Sequence, residues 1–185
     1  MKMGAIDIFA ADPVGWLHSS RLPAGSRALK GVQRAVLNRV FTRALNLKPL
    51  TDQLLEDDQH RFICEHWFLV RTAAYYMACY RHQALLRQSV SGWRLDKGAG
   101  HFLRMFPRRS LAPLIPYRYD LNMEALARQE MCALALDSAL LSRIKLMFAA
   151  SENADAMHVK ADSLLFIVAL KHAKYYTCAS STLRY

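Results

Sequence analysis

Apolar residues recur at three- and four-residue spacing along most of the chain, and the segments they define are helices. The first begins after the Pro23-Ala24-Gly25 break, where Ser26 is a suitable N-cap, and runs to about Leu47, before Lys48-Pro49. Leu29, Val32, Val36, Val40, Phe41 and Ala44 trace its expected buried face, with Leu37 and Leu45 beside them. Arg27, Lys30, Arg34, Arg39 and Arg43 lie opposite, either as the solvated side of an ordinary amphipathic helix or as a basic partner-binding surface. Thr51 caps the next helix, and Asp52 with Glu56 to Asp58 suits the positive end of its dipole. Phe62, Ile63, Trp67, Phe68, Val70, Ala73, Ala74, Tyr76, Met77 and Tyr80 then make the segment apolar nearly all round. It must run into the middle of the protein, in one piece or broken near Arg71-Thr72.

The later pattern is similar. A helix starting at Asp120 or Asn122 covers Met123 to about Ala150 and buries Leu126, Met131, Leu134, Leu136, Leu140, Leu141, Ile144, Met147 and Phe148. Ser151 to Asp155 forms a turn, and a last helix, about Ala156 to Tyr176, buries Leu164, Leu165, Phe166, Val168, Ala169 and Tyr175, with Lys160, Lys171 and Lys174 outward.

Two stretches fall outside this periodicity. Asp12-Pro13-Val14-Gly15-Trp16-Leu17-His18-Ser19-Ser20-Arg21-Leu22-Pro23 is bracketed by prolines that push Asp12 and Leu22 out of helix, and Trp16 with Leu17 anchors it. It reads as an extended N-terminal arm. Trp93 to Phe106, with Gly98-Ala99-Gly100, followed by Pro107-Arg108-Arg109-Ser110, Pro113 and Pro116, reads as a loop or short-helix connection. The expected architecture is an all-α, irregular domain of about five to eight helices over residues 1–185. It comprises an arm (1–25), an N-terminal helical lobe (26–90), a basic connecting segment (91–118) and a C-terminal helical pair (119–185).

Composition agrees with this and adds charge. With 53% hydrophobic residues, 7 Gly and 6 Pro in 185 residues, the chain can bury a core and has little loop material. No apolar run approaches a membrane span, and Asp7 interrupts any signal-like core near the N-terminus, so a cytoplasmic location is expected. The net charge of +10 is uneven. Residues 1–50 carry eight Lys or Arg against two Asp, residues 51–79 two against five acids, and residues 80–118 eight against one. Two basic blocks therefore flank an acidic patch, and such fields favour acidic partners of any class.

Chemistry-bearing motifs do not emerge. Cys64, Cys79, Cys132 and Cys178 are widely spaced, as buried reduced thiols would be, and His60, Cys64 and His66 do not complete a ligand set. Gly98-Ala99-Gly100 lacks the Lys-Ser/Thr of a phosphate loop, and no nucleophile elbow or His-Glu-x-x-His helix is present. No catalytic, metal-binding or cofactor-binding residue is assigned, and the protein is expected not to be an enzyme. Nucleic-acid binding is the rival that a pI near 9.7 supports, but no helix-turn-helix, RNP-like or zinc-finger pattern accompanies the charge.

The proline-bracketed segment, Asp-Pro followed by aromatic-aliphatic-His and then Arg-Leu-Pro, resembles the opening of the SctK family of type III secretion sorting-platform adaptors, which includes OrgA, MxiK, YscK and PscK. Trp67, Val70, Ala74 and Tyr75 resemble the family's central helix, and Leu164 to Tyr175 its C-terminal aliphatic helix, in the same order along the chain. The resemblance implies a noncatalytic helical linker without cofactors. Such a linker would engage an SctD-like inner-ring cytoplasmic domain and an SctQ-like pod protein and, through the latter, the SctL/SctN ATPase complex. It marks Asp12, Pro13, Trp16, Leu17, His18, Arg21, Leu22 and Pro23 as the family motif, structural or partner-binding. Electrostatics adds Arg34, Arg108 and Arg109 as a candidate ring-facing basic surface.

Overall fold

Every regular element in the computed structural model is helical among its described residues, 4–83, 86, 95–106, 122–150 and 161–182. The protein is all-α, and ten α-helices stand in these segments. The proline-bracketed N-terminus is not an irregular arm. Helix α1 (Ala5–Ala11) and the single turn α2 (Pro13–Trp16) meet at Asp12, and a 3-10 turn follows at Ser19–Arg21. The prolines act as expected on the residues before them: Asp12 leaves the helical region at φ −121°, ψ 67°, and Leu22 is extended at φ −111°, ψ 136°. What the prolines break, helical turns on either side rejoin, because Pro at the first position of a helix costs no hydrogen bond.

The expected helix from Ser26 is interrupted. Ser26–Ala28 forms a 3-10 turn, Leu29 is extended, and Gly31, at φ +54°, turns the chain into α3 (Gly31–Ala44). Ser26 is buried and donates its hydroxyl to the Pro23 carbonyl at 2.7 Å, so it closes the preceding turn and does not cap α3.

The long helix expected from Thr51 is four shorter elements. Thr51 caps α4 (Asp52–Glu56), accepting from the Leu54 N–H, and Asp57 caps α5 (Asp58–Glu65), accepting from the His60 N–H at 2.8 Å. A 3-10 turn at Trp67–Leu69 leads into α6 (Val70–Arg81), so the breaks fall at Asp57 and His66 and not at Arg71-Thr72. A side-chain acceptor that can cap a new helix, as Asp57 does, competes with continuation through it.

Helix α6 is the axis of the core. Val70, Ala73, Ala74, Tyr76, Met77, Ala78 and Cys79 are all buried on it. Around it pack α7 (Lys97–Met105), α8 (Met123–Cys132) and α10 (Ser163–Thr182). The small side chains at 73, 74 and 78 let neighbouring helices approach closely, and dispersion across such contacts adds to apolar burial. Gly98-Ala99-Gly100, read from the sequence as part of a loop or short-helix connection, lies in α7, capped by Asp96, which accepts from the Ala99 N–H at 2.7 Å. A Cβ on Gly98 would stand 2.1 Å from the Tyr76 hydroxyl oxygen, so glycine is what admits the Tyr76 ring beside Phe102.

Residues 122–150 fold as two helices. Asn122 caps α8, accepting from the Glu124 and Ala125 N–H groups at 3.1 Å, and Asp137 caps α9 (Ser138–Leu146) after a break at residues 133–137. The C-terminal part therefore contributes three helices instead of a pair. In α10, Phe166, Ile167, Ala169, Leu170 and Ala173 are buried, whereas Leu164 and Tyr175, assigned to the core by spacing, are each 69% exposed. The turn at Ser151–Asp155 lies outside the described residues.

Three charged side chains, Arg81, Glu130 and Arg143, enter this interior. Arg81 pairs with Glu130 between α6 and α8, and burial pushes the Glu130 carboxyl up against the opposing pull of Arg81. Arg143 donates through Nη1 to the carbonyls of Lys48 at 2.7 Å and Ala139 at 3.0 Å, which ties the segment after α3 to α9.

Candidate interaction surface

The motif residues converge on one seam between the N-terminus and the rest of the molecule. Asp12, freed from both flanking helices, turns its carboxylate toward α3. Arg34 donates to it from Nε at 3.0 Å and Nη2 at 2.6 Å, and Asn38, one turn along, donates from Nδ2 at 2.7 Å. Asn38 in turn accepts from the Val14 N–H at 3.0 Å. The forked guanidinium on a carboxylate is the strong form of a charge-assisted bond, and it holds the Arg34 pKa above its ordinary value. Gly15 completes the arrangement: a Cβ there would meet Asp12 Oδ2 at 2.7 Å and Arg34 Nη2 at 3.3 Å.

The apolar half of the motif faces the core. Pro13, Trp16 and Leu17 are buried. Trp16 packs on Phe9 at 5.7 Å between ring centroids, and Phe9 stacks on Trp67 at 6.1 Å, whose indole N–H donates to the Ala5 carbonyl at 3.1 Å. Phe9 of α1 therefore bridges two of the three resembling segments, the N-terminal motif and the start of the central helix.

The polar half reaches the C-terminal helices. The His18 backbone N–H donates to Leu146 at 3.1 Å and the Arg21 Nε–H to Phe148 at 3.0 Å, satisfying carbonyls at the end of α9. His18 Nδ1 accepts from the Ser20 N–H at 3.2 Å, and its Nε2 lies 3.2 Å from Glu124 Oε1. Glu124 also pairs with Arg71 of α6 at 3.3 Å. Leu22 packs at the core margin, and Pro23 is exposed. The structure thus gathers Asp12, Pro13, Trp16, Leu17, His18, Arg21 and Leu22 with Arg34 into internal contacts. Arg108 and Arg109 lie outside the described residues.

Around this seam, α3 is rotated from the expected orientation, although Leu37 and Phe41 still pack inward and Arg39 and Arg43 still face solvent. Val32, Val36 and Val40, assigned to the buried face, are 80%, 58% and 53% exposed, and no residue of α3 is fully buried. The side that packs holds Arg34, Leu37, Asn38, Phe41 and Thr42. Asn38 and Glu124 were not among the candidates read from the sequence. A carboxamide one helical turn from Arg34 is the only hint the chain gives of the first, and nothing local points to Glu124. Between α1 and α3 lies an open groove of about 700 Å³, lined by Ile8, Ala10, Ala11 and Ala35, with Arg39 and Arg43 on its α3 side.

Three buried groups of the core, the Cys64 and Cys79 thiols and the Tyr76 hydroxyl, are held protonated. Burial pushes the thiols of Cys64 and Cys79 up to about 12 and the hydroxyl of Tyr76 to about 12, so none is an anion near neutrality. No helix among the described residues is long and apolar enough to cross a membrane.

The sequence model of the family described as bacterial type III secretion apparatus protein (OrgA_MxiK) matches residues 8–175. No curated protein and no solved structure matches the chain.

Proposed function

The chain belongs to the OrgA_MxiK family of bacterial type III secretion apparatus proteins, and on that premise we propose that it is a noncatalytic cytoplasmic adaptor at the inner membrane. It links an SctD-like inner-ring domain to SctQ-like pods and, through them, to the SctL/SctN ATPase complex. The observation that carries this reading is the distribution of functional groups: Cys64, Cys79, Glu130 and Arg143 are buried in packing roles, while an apolar and basic face of α3 is presented outward. An adaptor requires a rigid body with separate contact faces and no reacting centre.

The motif from Asp12 to Pro23 serves in this proposal as the fastening of that body. It joins α1 and α2 to α3 on one side and to α8 and α9 on the other. The basic residues Arg108 and Arg109 engage the ring protein, and Arg34 contributes by fixing α3 through Asp12. Co-purification with the SctD-like and SctQ-like proteins of the same source tests the reading. Recovery of a complex with each is expected, and failure with both in soluble, folded form would overturn it. A mobility shift with DNA or RNA that showed sequence preference at physiological salt would replace it with the nucleic-acid alternative.

A further inference from the structure

The outward face of α3 is an unpartnered helix surface with two properties at once. Val32, Val36 and Val40 succeed each other at i, i+4 and i+8 and form an exposed apolar ridge. Arg39 and Arg43, also one turn apart, separate that ridge from the alanine-floored groove toward α1, and neither makes an ion pair among the described residues. Between Asp12 and Asp52 the sequence holds seven Lys or Arg and no acidic residue at all. An exposed apolar ridge on a surface helix costs solubility unless something covers it, and two unneutralised guanidinium groups beside it set the sign of what does.

We propose that this face, ridge and groove together, is the docking site for an amphipathic helix of an apparatus partner whose apolar stripe is flanked by Asp or Glu. The apolar stripe would lie along Val32, Val36 and Val40, as helices recognise apolar faces through i, i+3, i+4 and i+7 anchors. The acids would meet Arg39 and Arg43 at the edge, where carboxylates can take the guanidinium fork. A second copy of the chain is a poor occupant: a two-fold contact presents the same patch to itself, and with Asp12 already paired to Arg34 the unpaired charge of this patch is all positive. A bilayer is a poor occupant as well, since the ridge carries valines and lacks the large or aromatic side chains that insert at the interface.

The proposal rests on the adaptor reading for its partners, so the experiment measures binding of the full chain to the SctD-like domain and to the SctQ-like protein separately. Val36→Glu is expected to weaken binding to one of the two at least tenfold, and so is Arg39→Glu with Arg43→Glu, while Val36→Leu binds as the wild type does. Circular dichroism and thermal unfolding of each variant should match the wild type because these positions are exposed. Unchanged binding of Val36→Glu to both proteins would overturn this assignment and leave the adaptor reading standing. Absence of wild-type binding to either would overturn both. Self-association abolished by Val36→Glu in sedimentation would assign the face to a second copy instead. Val36-dependent binding to phosphatidylglycerol vesicles, with protein binding unaffected, would assign it to a membrane.

Discussion

Helices α3 and α6 have comparable lengths and carry many apolar residues, yet they solve opposite problems. Helix α6 is buried over most of its circumference, and both its small residues and its large ones, such as Tyr76 against Phe102 and His172, face the helices around it. Helix α3 packs through a mixed, partly polar side onto α2 and turns its valine ridge to solvent. The difference shows that an apolar stripe identifies a face that seeks burial without identifying the body that buries it. For α6 that body is the same chain. For α3, the inward contacts are specified by Asp12 as much as by hydrophobicity, and the valine ridge is left in solvent.

The comparison can be broken most severely on the α6 side. Phe102 is fully buried against Tyr76, Tyr80 and Phe106, and Phe102→Ala should cost about 3–5 kcal/mol in chemical denaturation, because a large cavity opens where no side chain can collapse. A loss below about 1 kcal/mol would mean that this core is looser than its packing indicates.

Acid should act on the same region next. His82, just past the end of α6, is buried, and burial lowers its pKa from the ordinary 6.5 to about 4, with Arg81 adding to the shift. The unfolded chain then binds the proton more readily than the folded one between those values, so stability is complete above pH 6.5 and declines as pH falls toward 4. Burial lowers His172 in the same direction. The loss from His82 alone amounts to about 3 kcal/mol over that window, measurable as a falling urea midpoint, and His82→Gln should flatten the slope. An unchanged slope in that variant would relocate the acid sensitivity.

At the α3 seam the effects should be smaller. Asp12→Ala leaves the partly buried Arg34 and Asn38 without their shared acceptor and should cost about 1–3 kcal/mol. It should also weaken partner binding through α3 if that helix shifts. On the outward face, Val36→Gln should change the unfolding free energy by less than about 0.5 kcal/mol, since the residue is already mostly in water. A large destabilisation there would show that the chain itself uses the ridge.

Much of the fold was legible in advance, for reasons that particular residues make plain. The all-helical class, the buried run from Ile63 to Cys79, the cap at Thr51 and a start at Asp120 or Asn122 follow from local periodicity and side-chain hydrogen-bonding capacity, whereas the last helix begins at Ser163 and not near Ala156. The breaks at Asp57 and at residues 133–137 were not foreseen, although Asp57 and Asp137 both carry the capping chemistry that makes them. An aspartate inside an apolar pattern can point to solvent or cap a new helix, and only the path of the following segment distinguishes these. The interaction surface was less legible still. The motif residues are picked out, but their contacts with Asn38, Leu146, Phe148 and Glu124 span from 24 to well over a hundred residues.

The sequence by itself therefore determined the helical class, the central helix, the charge asymmetry and the family, because these depend on spacing, composition and motif residues that neighbours in the chain already express. The tertiary structure decided which side of α3 faces inward. Burial is a property of two surfaces meeting, and the Asp12 carboxylate, set free by the proline that follows it, drew the Arg34 and Asn38 side inward and left the valines exposed.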